Sequence, residues 1–121
     1  IKQAACDYIH PDVYRVGGIT EVIKIAKLAE SHNIPVIPHF GMELMAHLGC
    51  GLPNIQLFEG LKGASLSEMG IISQSCQVVN GTVRPGEEPG HGITFDRPAL
   101  ARYAMNDDLL RQQNVTTRTD V

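Results

Sequence analysis

The sequence predicts an α/β fold with parallel strands, because short apolar runs alternate with amphipathic helix patterns along the first half of the chain. A second observation concerns Asp12, His39 and Glu59, each of which closes an apolar run and opens a glycine-bearing loop. The intervals between them are 27 and 20 residues, and each interval contains a helical pattern. Because the carboxyl ends of parallel strands meet at one edge of a sheet, these three side chains are expected to share one rim.

The first unit combines a strand at 8–10 with a helix from Ile19 to about Ser31. Pro11 ends the strand, since proline cannot donate a hydrogen bond to a neighbouring strand. Thr20 is expected to cap the helix through its hydroxyl, and Asn33 to stop it in the left-handed conformation. The apolar positions of this helix recur at three and four residues: Ile19, Val22, Ile23, Ala26 and Ala29.

Two further units come next along the chain. The second has a short strand at Val36-Ile37 and a helix from Met42 to Gly49, and the third has a strand from Ile55 to Phe58. Near-continuous apolar strands of this kind indicate a parallel sheet covered by helices. The rhythm of strand and helix then ends at about residue 60.

The second half of the chain is rich in glycine. Asn80-Gly81 between two β-type runs predicts a two-residue hairpin turn. Asp96 is expected to cap a last helix that carries Pro98 in its first turn. Residues 106–121 are polar and are expected to form a surface tail.

Composition excludes several classes of protein. The chain has 121 residues, 43% of them hydrophobic and 19% charged, with a formal net charge of −3. This profile is typical of a globular segment, offers no basic surface for nucleic acid, and contains no apolar run near the ~20 residues of a membrane span. We expect a cytoplasmic protein. Three scattered cysteines are expected to be reduced, buried thiols: Cys6, Cys50 and Cys76.

His39 and Asp12 are the strongest candidates for chemistry. An imidazole titrates near neutral pH, and a carboxylate one strand away, at ~4.8 Å between strands, can orient it. The alternative is a structural histidine beside an aspartate that caps a loop. Glu59 could present a carboxyl group to a substrate, or it could be a solvated acid or pair with Arg15 or Lys62.

A zinc site is a weaker alternative. His39, Glu43 and His47 fall at intervals of four, which would line one face of a continuous helix. Gly41 interrupts that helix, and the pattern differs from the His-Glu-x-x-His arrangement of metalloproteases. His47 is expected at a packing surface, as is His10.

The motifs around these residues resemble a known family. The segments Ile9-His10-Pro11-Asp12-Val13-Tyr14-Arg15-Val16-Gly17-Gly18 and Pro38-His39-Phe40-Gly41-Met42-Glu43 are similar to the mandelate racemase branch of the enolase superfamily. Pro89-Gly90-His91-Gly92-Ile93 resembles the family's closing turn. The resemblance runs from about residue 5 to residue 104.

The resemblance implies a modified (β/α)8 TIM-type barrel with a capping domain. Residues 1–60 would be barrel strands 6–8 with their helices, and residues 61–105 would pack on the barrel and the cap. A closed barrel takes ~250 residues, so this chain is expected to be the C-terminal part of a longer protein. The upstream part of the barrel would then be its partner, in a homo-oligomer.

The chemistry implied is abstraction of the proton α to a carboxylate. Asp12 and His39 match the family's aspartate–histidine dyad, and Glu59 matches the acid that hydrogen-bonds the substrate carboxylate. Phe40, Met42 and Arg15, which lie in the same motifs, are predicted to bind substrate. Mg²⁺ is the expected cofactor, with its ligands upstream of this chain and none within it.

Within this branch, the Pro-His-Phe-Gly-Met-Glu segment is most similar to acid-sugar dehydratases that act on small sugar-acid carboxylates. A racemase, epimerase or cycloisomerase of the same superfamily stays open. So does a non-catalytic sugar-acid binding or structural subunit.

Overall fold

The computed structural model describes residues 1, 3, 5–63, 65–73 and 75–104. Its helices and strands are, in chain order, α1 (Ile19–Glu30), α2 (Met42–Gly51), β1 (Cys76–Val79), β2 (Thr82–Pro85) and α3 (Arg97–Arg102).

The three apolar runs predicted as strands lie side by side and parallel, but each pairs at single bridges instead of along a regular strand. Val36 is central, with a parallel bridge to Ile9 on one side and to Ile55 on the other. The backbone N–H of Ile37 donates to the carbonyl of Ile9 at 2.9 Å. Prolines interrupt the first two runs, and each removes a donor that a continuous ladder would need.

Helix α1 covers one face of these segments. Its buried residues are Val22, Ala26 and Ala29. At 100° per residue these three form a narrow stripe, whereas Ile19 and Ile23 lie at its edge and are exposed. The buried cluster to which the stripe belongs contains Val13, Val22, Ala26, Ala29, Val36, Met45, Leu52 and Ile55.

The ends of α1 confirm one expectation and correct another. Gly18 occupies the N-cap position and no side chain caps the helix, so the predicted cap by Thr20 is wrong. The helix starts one residue before Thr20, which places that residue inside the first turn, where its hydroxyl does not cap. Asn33 follows the last turn with φ 55°, as predicted.

Helix α2 starts one residue after Gly41 and ends two residues beyond the predicted Gly49. Gly41 has φ 62°, and a Cβ there would lie 2.7 Å from Cγ1 of the buried Val13. The position therefore requires glycine for both its conformation and its space. His39 precedes this turn and is not part of the helix.

The glycine-rich half folds as predicted at two places. β1 and β2 pair antiparallel around Asn80-Gly81, whose φ angles are 51° and 75°. These two positive angles fit the turn that favours an Asn-Gly pair in two-residue hairpins. Asp96 caps α3 by accepting from the amide of Ala99 at 2.9 Å. The predicted tail at 106–121 lies outside the described residues.

The cysteines are unpaired, but two of the three are not buried as expected. Cys6 and Cys50 are exposed, and Cys76 is buried. Cys50 lies in the last turn of α2 and Cys6 precedes the first apolar run, so the packed cluster covers neither. Burial raises the pKa of the Cys76 thiol, and the nearby Glu43 carboxylate adds to this. Every helix in the described residues is too short or too polar to cross a bilayer.

Candidate active site

The site is built around a contact between the first and second units. The backbone N–H of His39 donates to the carbonyl of Pro11 at 2.9 Å, and Asp12 forms a parallel bridge with His39. This pairing places Nδ1 of His39 3.1 Å from Oδ2 of Asp12. A carboxylate at Nδ1 favours the tautomer with its proton on that nitrogen, which leaves Nε2 unprotonated and able to accept a proton.

The Asp12 carboxylate is held in its ionised form. Its Oδ1 accepts from the backbone N–H of Tyr14 at 2.8 Å, and its Oδ2 lies 3.2 Å from Nε of Arg15. Partial burial raises the pKa of this carboxyl group, but the Tyr14 amide and the His39 ring lower it. The amide and guanidinium of Arg15 lower it further, so the pKa lies below its usual 3.8.

The predicted contact of Arg15 with substrate stays a prediction. Arg15 lies against Asp12, and 81% of its side chain is exposed. It does not pair with Glu59, the alternative that the sequence left open. Burial raises the pKa of the Tyr14 phenol, and the charges of Glu43 and Asp12 add to this.

Glu59 closes the third unit on the other side of His39. Its Oε2 accepts from the backbone N–H of Phe40 at 3.3 Å and lies 3.5 Å from Nε2 of His10. Its partners are thus a neighbouring loop and a histidine, and not Lys62.

The loop that joins His39 to α2 is strained. Phe40 has φ 50°, in the left-handed region that bulky residues rarely adopt, and Gly41 follows in the same region. The hydrogen bond from Phe40 to Glu59 and the edge-on contact of its ring with His39, at 4.3 Å between centroids, hold this conformation. Residues in such conformations cluster at functional sites.

A cavity of about 480 Å³ adjoins the rim. Asp12, Phe40, Met42 and Glu59 line it, together with the loop after Glu59 and the hairpin. The described residues that line it include neither His39 nor Arg15. The buried acid Glu43, 4% exposed, also lines this cavity. Its spacing from His39 and His47 suggested only the zinc site.

His10 belongs to the site, although the sequence assigned it to a packing surface. Its ring meets that of His39 edge-on at 5.1 Å between centroids, and it is exposed. Alternation in an extended chain could have indicated this, because residues two apart point to the same side and His10 precedes Asp12 by two.

Among the described residues, His39, Glu43 and His47 do not come together as a zinc site. The one group of three potential ligands in this part of the chain consists of His10, His39 and Glu59, with the ligand atoms within 4.8 Å of one another. Glu43 and His47 lie on α2, beyond the turn at Gly41. The Nε2 atom of His47 is buried, with no hydrogen-bond partner among the described residues.

This donor set does not fit Mg²⁺. Magnesium prefers six oxygen ligands in near-octahedral geometry, and the group contains two imidazoles and a single carboxylate.

Parallel segments, a covering helix and polar residues at the carboxyl ends define this chain as part of a parallel α/β protein whose site lies on the rim of the sheet. The family can be named more closely. Residues 1–99 match the family described as enolase C-terminal domain-like, and the chain belongs to that family.

Curated relatives include enzymes of two kinds. The D-xylonate dehydratase of Haloferax volcanii is 30% identical over 115 residues, which cover 91% of this chain and 28% of that protein. The D-galactarolactone cycloisomerase of Agrobacterium fabrum is 28% identical over 120 residues, covering 88% of this chain and 32% of that protein. The chain thus spans about a third or less of the length of these relatives.

A solved structure gives the same assignment. The L-talarate dehydratase of Polaromonas sp. JS666, complexed with Mg and L-glucarate, is 32% identical with a TM-score of 0.64. The match covers 83% of this chain and 27% of that one. The chain corresponds to the C-terminal part of the modified TIM-type barrel of these enzymes, as the resemblance implied.

Proposed function

We propose that this chain supplies the proton-transfer residues of a sugar-acid dehydratase, a lyase that converts an aldarate or aldonate into a 2-keto-3-deoxy acid. The observation that carries the proposal is the 3.1 Å contact between Oδ2 of Asp12 and Nδ1 of His39 on the rim. Similarity to the D-xylonate dehydratase and the L-talarate dehydratase supports this substrate class.

In the proposed reaction, Nε2 of His39 removes the proton from the carbon α to the substrate carboxylate. The electron pair of that C–H bond forms a double bond towards the carboxylate. It then expels the β-hydroxyl, which leaves as water after protonation, and the resulting enol tautomerises to the 2-keto acid. His39 acts as the base and, once protonated, can also be the acid for the leaving group.

Asp12 has a positioning role, because it touches His39 and not the reacting carbon. Its carboxylate keeps the Nδ1 proton in place and stabilises the imidazolium that forms when Nε2 takes up a proton. The ionised state required for this agrees with the lowered pKa of Asp12.

Glu59 is proposed to donate a hydrogen bond from its carboxyl O–H to the substrate carboxylate, from the far side of His39. Such a bond favours the product of deprotonation if it strengthens as charge moves onto the carboxylate. Phe40 and Met42, which line the adjoining cavity, are proposed to contact the remainder of the substrate. Arg15, which contacts Asp12 and is largely exposed, is proposed to contact the substrate as well as to support Asp12.

The remaining parts of the proposal concern the whole protein. Mg²⁺, present in the L-talarate dehydratase structure, is proposed to be held by residues outside this chain. Residues 61–105 are proposed to pack on the barrel and the capping domain. The protein is proposed to be a cytoplasmic homo-oligomer.

A second candidate is isomerisation, as in a cycloisomerase, racemase or epimerase. It is favoured by the similarity to the D-galactarolactone cycloisomerase, which has nearly the same coverage as the first relative. Both reactions begin with removal of an α-proton, so the dyad serves either. They differ in the next step, which expels a β-hydroxyl in dehydration and retains it in racemisation or epimerisation.

The test is a screen of aldaric and aldonic acids with Mg²⁺ and the purified whole protein, including the part upstream of this chain, monitored for 2-keto products by their semicarbazones. Dehydration predicts a 2-keto-3-deoxy acid from at least one acid. Loss of substrate into an isomer without keto product would favour the second candidate. Binding of a sugar acid without turnover would contradict both and favour a binding subunit.

A further inference from the structure

We propose that His10, His39 and Glu59 form a binding site for a late first-row divalent ion, of which Zn²⁺ is the representative. One ligand atom from each residue lies within 4.8 Å of the other two, and no other described residues form such a group. Two imidazoles and one carboxylate form a ligand set typical of transition metals. Imidazole binds such metals better than it binds Mg²⁺.

The three ligands are held by separate parts of the fold. His10 and His39 flank the parallel pairing in which the amide of His39 donates to Pro11. Glu59 is tied to the same loop through the amide of Phe40 at 3.3 Å. Binding of one ion at about 2.0–2.2 Å from each donor would require these side chains to move together from separations of up to 4.8 Å.

The surroundings of His39 match those of a metal-binding histidine. Such residues usually donate their other ring N–H to a carboxylate, which fixes the ring and raises the basicity of the coordinating nitrogen. Asp12 plays that part at Nδ1 of His39. Nε2 is consequently the nitrogen that remains for the ion.

The ligands are accessible from solvent. The side chains of His10, Glu59 and His39 are 44%, 33% and 29% exposed. The contact between His10 and Glu59, 3.5 Å between Nε2 and Oε2, brings an imidazole and a carboxylate together in the absence of metal. An ion between them would replace this contact with two stronger ones.

Binding of the ion would also affect turnover, and this part of the inference rests on the proposed function. An ion on Nε2 of His39 occupies the nitrogen that takes up the α-proton, so Zn²⁺ would inhibit turnover in competition with substrate. Binding of the ion itself does not depend on the reaction, and the two can fail separately.

The test is calorimetric titration of purified protein with Zn²⁺ in a large excess of Mg²⁺, so that sites built from carboxylates are already filled. We expect one Zn²⁺ per chain, with affinity lowered roughly tenfold or more by His10→Asn and by the isosteric Glu59→Gln. The matched control is His32→Asn, which removes an exposed histidine outside the group and should leave the affinity unchanged.

Electron paramagnetic resonance of bound Cu²⁺ supplies a second readout, since it counts coordinating imidazoles. Two are expected in the wild type and one in His10→Asn, each confirmed as folded by circular dichroism. Zn²⁺ affinity that His10→Asn and Glu59→Gln leave unchanged, or a Cu²⁺ signal without imidazole nitrogen, would overturn the site. Absence of turnover before any Zn²⁺ is added, together with intact Zn²⁺ binding, would instead count against the proposed function alone.

Discussion

The two oxygens of the Asp12 carboxylate, which contacts His39, have different partners. Oδ1 is fixed by the amide of Tyr14, and Oδ2 faces both Nδ1 of His39 and the guanidinium of Arg15. The carboxylate is thus oriented by the backbone before it orients the imidazole. The fold of this segment therefore determines which nitrogen of His39 carries the proton.

Asp12→Asn should remove the charge of the side chain while keeping its shape. The amide has the same size, but it can offer an N–H to Nδ1, which would favour protonation on Nε2 and remove the base. We expect kcat to fall on the order of 10²-fold or more with a smaller change in KM. Steady-state kinetics of the whole protein on its best sugar acid measure this, and an unchanged kcat would contradict the positioning role.

Acid should weaken the fold through the same group. Because the pKa of Asp12 is lower in the folded state than its usual 3.8, its contribution to stability is present above about pH 3.8. That contribution is lost as the pH falls through the lower folded value. Glu68, whose pKa is lowered mainly by the amide of Gly63, adds a contribution of the same sign.

Urea unfolding of wild type and Asp12→Asn between pH 6 and pH 2.5 isolates the Asp12 part, since Glu68 is common to both. The difference in free energy of unfolding should shrink as the pH falls below about 4. A difference that stays constant with pH would show that Asp12 is not stabilised as a charge.

The positions of the candidate site residues can be predicted from the sequence to different degrees. Asp12, His39 and Glu59 are predictable because each ends an apolar run, and the fold of parallel segments fixes where such ends lie. The place of His10 cannot be predicted in this way, because its apolar and proline neighbours suggest a packing surface. The contact of Arg15 with Asp12 depends on the turn at 13–18, which no periodic pattern describes.

At the scale of elements, the turn between His39 and α2 determines the shape of the rim. Phe40 and Gly41 both have positive φ, so the chain reverses within two residues and α2 starts at Met42. This turn places the amide of Phe40 on Glu59 and lets the helix pack close to Val13. It connects the second unit to both of its neighbours.

Gly41→Ala should damage this turn. The left-handed conformation costs a residue with a Cβ about 1–2 kcal/mol, and the added atom would stand 2.7 Å from Cγ1 of Val13. We expect the free energy of unfolding to fall by at least that amount and activity to fall with it. Gly51→Ala is the control: nothing lies within 4 Å of its added Cβ, and it should be neutral or stabilising by roughly 0.5–1 kcal/mol.

Chemical denaturation of the two variants side by side gives the comparison. Equal effects of Gly41→Ala and Gly51→Ala would contradict the special status of the turn.

Elements are predicted best where a local signal decides them. The Asn80-Gly81 hairpin and the Asp96 cap depend on one or two residues, and both are present. The three parallel segments are aligned as predicted but are shorter than expected, because strand length depends on donors that prolines remove from neighbouring runs. Thr20 has the residue type of a cap, whereas the backbone starts the helix at Ile19.

At the scale of the molecule, three successive units each contribute one residue to the candidate site. Asp12 ends the first, His39 the second and Glu59 the third, and parallel bridges align them. Membership in the enolase C-terminal domain-like family, and a barrel of which this is the C-terminal part, agree with that arrangement. The substrate and the metal ligands could not be predicted, since in barrels they depend on loops and strand ends from several other units.

Exchange of the α-proton in deuterated water is the sharpest test of the role proposed for His39. The whole protein with Mg²⁺ and its best sugar acid should incorporate deuterium at the α-carbon or in the product, followed by NMR. His39→Asn should lower that rate on the order of 10²–10⁴-fold, while His32→Asn retains it. Exchange by His39→Asn at the wild-type rate would show that another group takes up the proton, and would contradict the assignment of His39 as the base.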